Sequence, residues 1–301
     1  MIHRLLPIPG LWLMLTLLGV AATPHAEEIR LRDAGGELVR LERPAERIVS
    51  LAPHMSELLF EIGAGHRLVG ATEFTDYPEA AKQIPRVGDN ANIDLEALLA
   101  LKPDLVVGWL SGNRSARVER IRRLGIPVYM SEPRRLDQIP SLMRALGRLT
   151  GHNDQAETVA RRFEQELERL RAAHRGKRPV SVFYEAWGQP LMTLNDEHLL
   201  SDVIHLCGGR NVFGALAMLA PTVSEEAVLA ADPQVILTGG EGEMRSQWLE
   251  AWKRWPRMQA VKGGHLYQVD PDLLLRPTSR VLQGAQILCR LLDEVRRSNG
   301  R

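Results

Sequence analysis

Residues 93–107 read IDLEALLALKPDLVV and residues 223–237 read VSEEAVLAADPQVIL, so one pattern occurs twice, 130 residues apart. Each copy begins with a residue that can cap a helix and continues with apolar residues at helical spacing. After a proline, each copy ends in a short apolar run typical of a buried strand. The repeated helix–proline–strand unit predicts parallel α/β structure built from two similar halves.

Each half also begins with a similar unit. The segment Arg47–Leu51 leads into Ala52-Pro53 and a helical pattern that ends at Gly63. A second segment, Pro179–Tyr184, precedes a helix predicted near Ser201–Cys207. The sequence therefore predicts a strand followed by a helix at the start of both halves.

A charged stretch from Asn153 to about His174 separates the halves, with apolar residues at helical spacing and no Gly or Pro before Gly176. It predicts one continuous helix of about 20 residues, near 30 Å long. The expected fold is α/β, with two Rossmann-like lobes joined by a single long helix. We expect an N-terminal lobe at 27–151, a connecting helix at 152–175 and a C-terminal lobe at 176–301.

The first 26 residues have the features of a secretory signal peptide. His3 and Arg4 precede an apolar run from Leu11 to Ala22 that ends in small residues. The run is shorter than the roughly 20 residues that a membrane span needs. We expect cleavage after Ala22 or Ala26 and an exported, soluble protein; an uncleaved N-terminal anchor is the alternative.

The composition is that of a folded protein, with 45% hydrophobic and 25% charged residues. The 38 basic and 37 acidic side chains include Arg4, so a chain cut after residue 26 carries 37 of each, and neither sign forms a long block. A nucleic-acid partner is therefore not expected.

The chain has two cysteines, Cys207 and Cys289. In an oxidising compartment an isolated pair predicts a disulfide, and closing so long a loop would stabilise the fold by about 4 kcal/mol from chain entropy. Two buried free thiols are the alternative.

Motifs for catalysis are missing from the sequence: it contains no G-x-S-x-G, H-E-x-x-H, C-x-x-C or phosphate-binding glycine loop. Its histidines are scattered, whereas zinc or manganese needs three or four converging ligands. We expect neither an enzyme nor a resident metal or cofactor.

Glu96 and Glu226 occupy equivalent places in the repeat, two residues after Asp94 and Ser224. An acid in the first turn is favoured by the helix dipole, by about 0.3–1 kcal/mol, and this explains either glutamate alone. Matched acids on two similar lobes also predict two negative contacts for arginines of a two-fold symmetric partner.

Three aromatic residues follow predicted strands: Phe74, Trp109 and Trp187. Ligands of α/β proteins bind beyond the carboxyl ends of strands. The three side chains therefore predict an apolar cleft between the lobes, although each alone is also typical of a core residue.

Several motifs together resemble a known family. RIVSLAP (47–53), TDYP (75–78), DLE (94–96), LKPDLVVGW (101–109) and CGG (207–209) are similar to those of the periplasmic binding proteins of vitamin B12 and iron-chelate ABC importers, above all the cobalamin-binding members. The resemblance covers about residues 46–295. It implies a class III periplasmic binding protein, bilobed around one long helix.

The resemblance also implies roles for individual residues. Phe74 and Trp109 would lie against the corrinoid, with Trp187 near a third aromatic, and Asp272 and Arg276 would fall in the last cleft loop. Glu96 and Glu226 would dock the permease, and Cys207 would pair with Cys289.

The sequence departs from that pattern at three places. Asn90 and Ala220 stand where the cobalamin-binding members have tryptophan. The aromatic cage therefore has fewer members here, and the identity of the ligand stays open. His54, beside the first strand, is also atypical: it either approaches a bound metal centre or caps a helix or is exposed.

The sequence thus predicts a periplasmic receptor that captures cobalamin and delivers it to an ABC permease dimer. We expect it to act as a monomer. A ferric-siderophore or haem receptor of the same family is the first alternative, and an exported hydrolase is a distant one.

Overall fold

The computed structural model describes residues 28–89, 92–239 and 242–298, without the side chains of 242–246. The predicted signal peptide and Asn90 lie outside these residues. No helix within the described ranges is both long and apolar enough to cross a membrane.

The N-terminal lobe is a four-stranded parallel sheet with helices on its faces, preceded by an antiparallel hairpin. Its core strands are almost fully buried, which explains their continuous apolar runs. The hairpin is β1 (Ile29–Arg32) and β2 (Leu38–Leu41), the sheet is β3 (Ile48–Ser50), β4 (Leu68–Ala71), β5 (Leu105–Trp109) and β6 (Val128–Ser131), and the helices are α1 (Pro53–Glu61), α2 (Leu95–Ala100), α3 (Ser115–Arg123) and α4 (Ile139–Thr150).

One long helix, α5 (Asn153–His174), carries the chain from the first lobe to the second. It buries a stripe formed by Ala156, Ala160, Phe163, Leu167 and Leu170. That stripe belongs to an apolar cluster that includes residues of both sheets. The connecting helix is therefore part of a core that the lobes share.

The C-terminal lobe repeats the parallel sheet. Its sheet is β7 (Val180–Glu185), β10 (Gly209–Asn211), β11 (Val235–Thr238) and β12 (Leu266–Gln268), with a small hairpin of β8 (Trp187–Gly188) and β9 (Leu191–Met192). Its helices are α6 (Leu199–Leu206), α7 (Glu225–Ala231), α8 (Gly242–Trp252), α9 (Gln259–Lys262), α10 (Pro271–Leu274) and α11 (Val281–Ser298).

The two sheets have the same strand order. It is β4-β3-β5-β6 in the first lobe and β10-β7-β11-β12 in the second, so in each the second strand lies outside the first. The fold predicted from the sequence, two similar α/β lobes and one long helix, is confirmed.

The repeat at residues 93–107 and 223–237 corresponds to α2–β5 and α7–β11. Asp94 caps α2 by accepting from two backbone amides at 3.0 Å, and Ser224 Oγ caps α7 by accepting from Ala227 N at 3.2 Å. The residues before the two prolines, Lys102 and Asp232, both have positive φ, at 47° and 39°. The repeat thus extends to the backbone turn that ends each helix.

The predicted disulfide is present. It joins Cys207, directly after α6, to Cys289 in α11, and both residues are buried. The bond therefore ties two helices of the C-terminal lobe together.

Candidate functional site

The strand order places a crevice at the carboxyl ends of the strands in each sheet. In the order second-first-third-fourth, the connections from the first and third strands leave in opposite directions, and ligands bind beyond the carboxyl ends of those strands. In the N-terminal lobe these are β3 and β5. A cavity of about 270 Å³ lies there and extends to the second lobe, lined by Pro53, His54, Trp109, Glu132, Pro133, Arg134, His198, Leu199, Leu219, Leu275, Arg276 and Pro277.

His54 is held between Trp109 and Ser131. Its Nε2 lies 3.1 Å from Ser131 Oγ, and its ring meets that of Trp109 edge-on at 5.9 Å between centroids. Burial, assisted by the charge of Arg276, lowers the pKa of His54 to about 3. His54 is buried and does not cap α1, whose N-cap residue is Ala52, so it is a neutral wall of the cavity and not an exposed or capping residue.

Arg276 connects the two sides of the cleft. From the C-terminal lobe its Nη1 donates to Asp76 Oδ1 at 2.9 Å, and its Nη2 donates to the carbonyl of Phe74 at 3.3 Å. Its Nε lies 2.9 Å from Asp272 Oδ1, while partial burial raises the pKa of that carboxyl. The structure thus brings together three predicted site residues, Phe74, Asp272 and Arg276, and leaves the Phe74 side chain 66% exposed.

Sequence reasoning missed the residues that follow β6. Glu132, Pro133 and Arg134 line the cavity, and the rule that selected Trp109 after β5 would have found them. It also missed His198, which caps α6 by accepting from Leu200 N at 3.1 Å through Nδ1. Burial lowers the pKa of His198 to about 4, so this histidine is also neutral near pH 7.

The charges of the cavity are largely compensated. Arg134 pairs with Glu197 at 2.9 Å and with Glu132 at 3.4 Å, and Arg276 pairs with two aspartates. Among the residues that the structure describes, no group of three His, Cys, Asp or Glu side chains is placed to hold a metal ion. The arrangement suits a ligand without net negative charge that has both apolar and hydrogen-bonding surface.

Trp187 lies apart from this group. It is 49% exposed at the carboxyl end of β7 and lines another cavity, none of whose residues line the first. Ala220 is partly buried against the shared core, and its neighbour Leu219 lines the first cavity. The structure therefore brings His54, Trp109 and Arg276 together but not Trp187.

The sequence profile described as "Periplasmic binding protein" matches residues 48–273, about three quarters of the chain. The chain belongs to the periplasmic binding protein family. This is a family of substrate-binding proteins and not of enzymes.

Named relatives match most of the chain. The chain is 35% identical over 249 residues to the vitamin B12-binding protein of Vibrio cholerae serotype O1, covering 83% of this chain and 90% of the relative. It is 34% identical over 278 residues to the vitamin B12-binding protein of Yersinia pestis, covering 92% and 96%.

Solved structures agree in fold. The periplasmic vitamin B12 binding protein BtuF of Vibrio cholerae superposes with a TM-score of 0.78 at 35% identity, over 84% of this chain and 98% of BtuF. A periplasmic heme binding protein from Pseudomonas aeruginosa superposes with a TM-score of 0.70 at 26% identity, over 81% and 91%. The periplasmic binding protein fold thus extends over both lobes.

Within this periplasmic binding protein, the two glutamates of the repeat are exposed in the first turns of α2 and α7. Hydrogen bonds from its own backbone amide and from Ser224 hold the pKa of Glu226 below its usual range. Neither Glu96 nor Glu226 forms an ion pair within the described ranges, whereas the adjacent Glu225 pairs with Arg254. Their docking role remains a prediction.

Proposed function

We propose that this protein captures cobalamin in the cleft between its lobes and delivers it to an ABC importer. The observation that carries the proposal is the interlobe cavity beyond β3 and β5, where Trp109 stands beside neutral His54 and charge-paired Arg276. The vitamin B12-binding relatives at 34–35% identity support the same ligand.

The cavity fits the chemistry of a corrinoid. A corrin ring offers a broad apolar face to Trp109 and to the prolines and leucines of the wall. Its amide side chains need donors and acceptors, which Arg134, His198 and Glu132 provide at the rim. Phe74 and Trp187, both strongly exposed, would cover further parts of a ligand that extends beyond the cavity.

A haem or ferric-siderophore ligand is the rival. Two histidines line the cavity, and one solved relative is named as heme binding. However, both cleft arginines are paired with carboxylates, so anionic groups would find little unpaired positive charge. His54 Nε2 is also already engaged in a hydrogen bond with Ser131. These contacts favour the corrinoid.

Delivery would use Glu96 and Glu226. Both are exposed, unpaired among the described residues and placed at the same position of the two repeat copies. Two such carboxylates would each accept an arginine from one subunit of a permease dimer. Family membership and the predicted signal peptide support a periplasmic location.

Isothermal titration tests the ligand. We expect tight, roughly equimolar binding of cyanocobalamin and much weaker binding of haem and of ferric siderophores. Tight siderophore or haem binding without heat from any corrinoid would overturn the proposal. Trp109→Ala should weaken cobalamin binding, whereas Trp255→Ala, outside the cavity, should not.

A further inference from the structure

A second cavity lies at the corresponding crevice of the C-terminal lobe. It has a volume of about 460 Å³ and begins at the carboxyl end of β7, the first strand of that lobe in chain order. Strand order alone makes this place equivalent to the crevice beyond β3 and β5. Its walls are Glu185, Trp187, Gly188, Gln189, Leu191, Glu225, Gln247, Trp248, Ala251, Trp252 and Arg254.

The floor of this second cavity is a buried carboxylate. Glu185 is the last residue of β7 and only 3% exposed. Its Oε2 accepts a hydrogen bond from Trp252 Nε1 at 2.8 Å, but within the described ranges no cation pairs with it. The other acid of the wall, Glu225, is paired with Arg254. Among the side chains that the structure describes, Glu185 is therefore the charged group of the second cavity without a partner of opposite sign.

Burial shifts the pKa of the Glu185 carboxyl. It raises the pKa of Glu185 to about 7, assisted by the negative charge of Glu225 and opposed by the hydrogen bond from Trp252. A bound cation would remove that penalty because it would supply the missing counter-charge.

Two indole rings form adjoining walls beside the carboxylate. Trp187 and Trp248 lie 5.7 Å apart between centroids with their planes at 69°. Nε1 of Trp187 donates to the carbonyl of Gln189, which holds the half-exposed ring in place. Indole faces attract cations through their quadrupole, so both walls and the floor favour positive charge.

We propose that the second cavity binds an organic cation carrying N–H groups, such as a guanidinium or a primary ammonium, with Glu185 as its counter-ion and Trp187 and Trp248 as its walls. The cation has two possible sources: a free small molecule, or an arginine or lysine side chain of a partner protein. The second source rests on the proposed function, since Glu225 directly precedes the predicted docking residue Glu226.

A pair of probes of matched shape tests the chemistry. n-Butylguanidinium and neutral n-butylurea are titrated into the purified protein, with indole fluorescence and the indole N–H signals in NMR as readouts. We expect saturable binding of the guanidinium and at least about tenfold weaker binding of the urea. Saturable binding of both probes with equal affinity overturns the proposal.

Variants tie the binding to the cavity. Glu185→Gln keeps an oxygen for Trp252 Nε1 and should weaken guanidinium binding at least about tenfold. Trp248→Leu should weaken it severalfold. Glu250→Gln, an exposed acid paired with Lys253 outside the cavity, is the matched control and should change nothing. Unchanged guanidinium affinity in Glu185→Gln overturns the proposal.

If the cation is a side chain of a partner protein, association with the permease is the measurement that tests it. If no free cation binds, Glu185→Gln should still weaken association with the permease while cobalamin affinity stays at the wild-type value. If permease association is unchanged as well, the proposal is overturned. Failure of the wild-type protein to bind cobalamin would instead count against the proposed function, because the guanidinium titration does not involve that ligand.

Discussion

Arg280 and Glu57 form a doubly hydrogen-bonded ion pair between the lobes. Arg280, directly before α11, donates from Nε and Nη2 to the two carboxylate oxygens of Glu57 in α1, both at 2.7 Å. Glu57 is 3% exposed, and the guanidinium carbon lies 3.9 Å from the ring centroid of Tyr77. The pair ties the second lobe to the first helix of the cleft wall.

Breaking this pair on one side should destabilise the protein strongly. Glu57→Gln leaves Arg280 partly buried without its counter-charge, and we expect a loss of about 3–5 kcal/mol in the free energy of unfolding by urea denaturation. The double variant Glu57→Gln/Arg280→Met should recover much of it. Asp76→Asn, which breaks a more exposed pair with Arg276, should cost no more than about 1 kcal/mol. A comparable loss of stability in Glu57→Gln and in Asp76→Asn would contradict the role of burial.

Trp109 should contribute most to ligand affinity. Trp109→Ala removes the largest aromatic surface of the interlobe cavity, so we expect cobalamin binding to weaken by roughly 30-fold, about 2 kcal/mol, in isothermal titration. Trp255→Ala is the control for loss of an indole elsewhere. A Trp109→Ala variant with wild-type affinity would place the corrinoid outside this cavity.

Glu96 and Glu226 should matter for transport and not for ligand capture. Replacing both with arginine reverses the charge that would meet permease arginines, so cobalamin uptake should be lost at unchanged affinity. Glu42→Arg, at an exposed acid outside both copies of the repeat, should transport normally. Loss of affinity in the double variant would show that these acids contact the ligand.

Two histidines of the cavity wall, His54 and His198, should make the fold sensitive to acid. His54 and His198 have pKa values of about 3 and about 4 in the folded protein, below the value near 6.5 of an unfolded chain. For each histidine, the unfolded state binds more protons at any pH between the folded pKa and about 6.5. The free energy of unfolding therefore falls as the pH drops from about 6.5 to about 4 for His198 and to about 3 for His54. Each histidine should account for about 2 kcal/mol at pH 5. The slope measured by denaturation at several pH values should become shallower in His54→Asn.

Glu185 should make the stability of the fold depend on pH in the opposite direction. Its pKa of about 7 exceeds the usual value of 4.5, so the folded state binds more protons between these values. Stability is therefore lost as the pH rises from about 4.5 to about 7. Glu185→Gln removes this loss and should raise the free energy of unfolding at pH 8 by up to about 3 kcal/mol relative to the wild type. Equal stability of the two proteins at pH 8 and at pH 4.5 would contradict the effect of burial.

Much of the architecture was predictable because its signals are local in the chain. The repeat at 93–107 and 223–237, the caps Asp94 and Ser224 and the unbroken periodicity of α5 each depend on residues within a few turns of one another. Such patterns determine which segments become helices or strands, and their repetition indicates two similar lobes.

The sites depend on contacts that no local pattern records. His54 meets Ser131 across 77 residues, Glu185 meets Trp252 across 67, and Arg280 meets Glu57 across 223. Strand order decides these encounters, since it determines which loops share a crevice. Trp109 and Trp187 both follow strands, yet the fold puts them in different cavities. The sequence alone therefore determined the lobes, the connecting helix and the aromatic candidates. Only the tertiary structure decided which side chains meet, because burial and pairing arise between segments far apart in the chain.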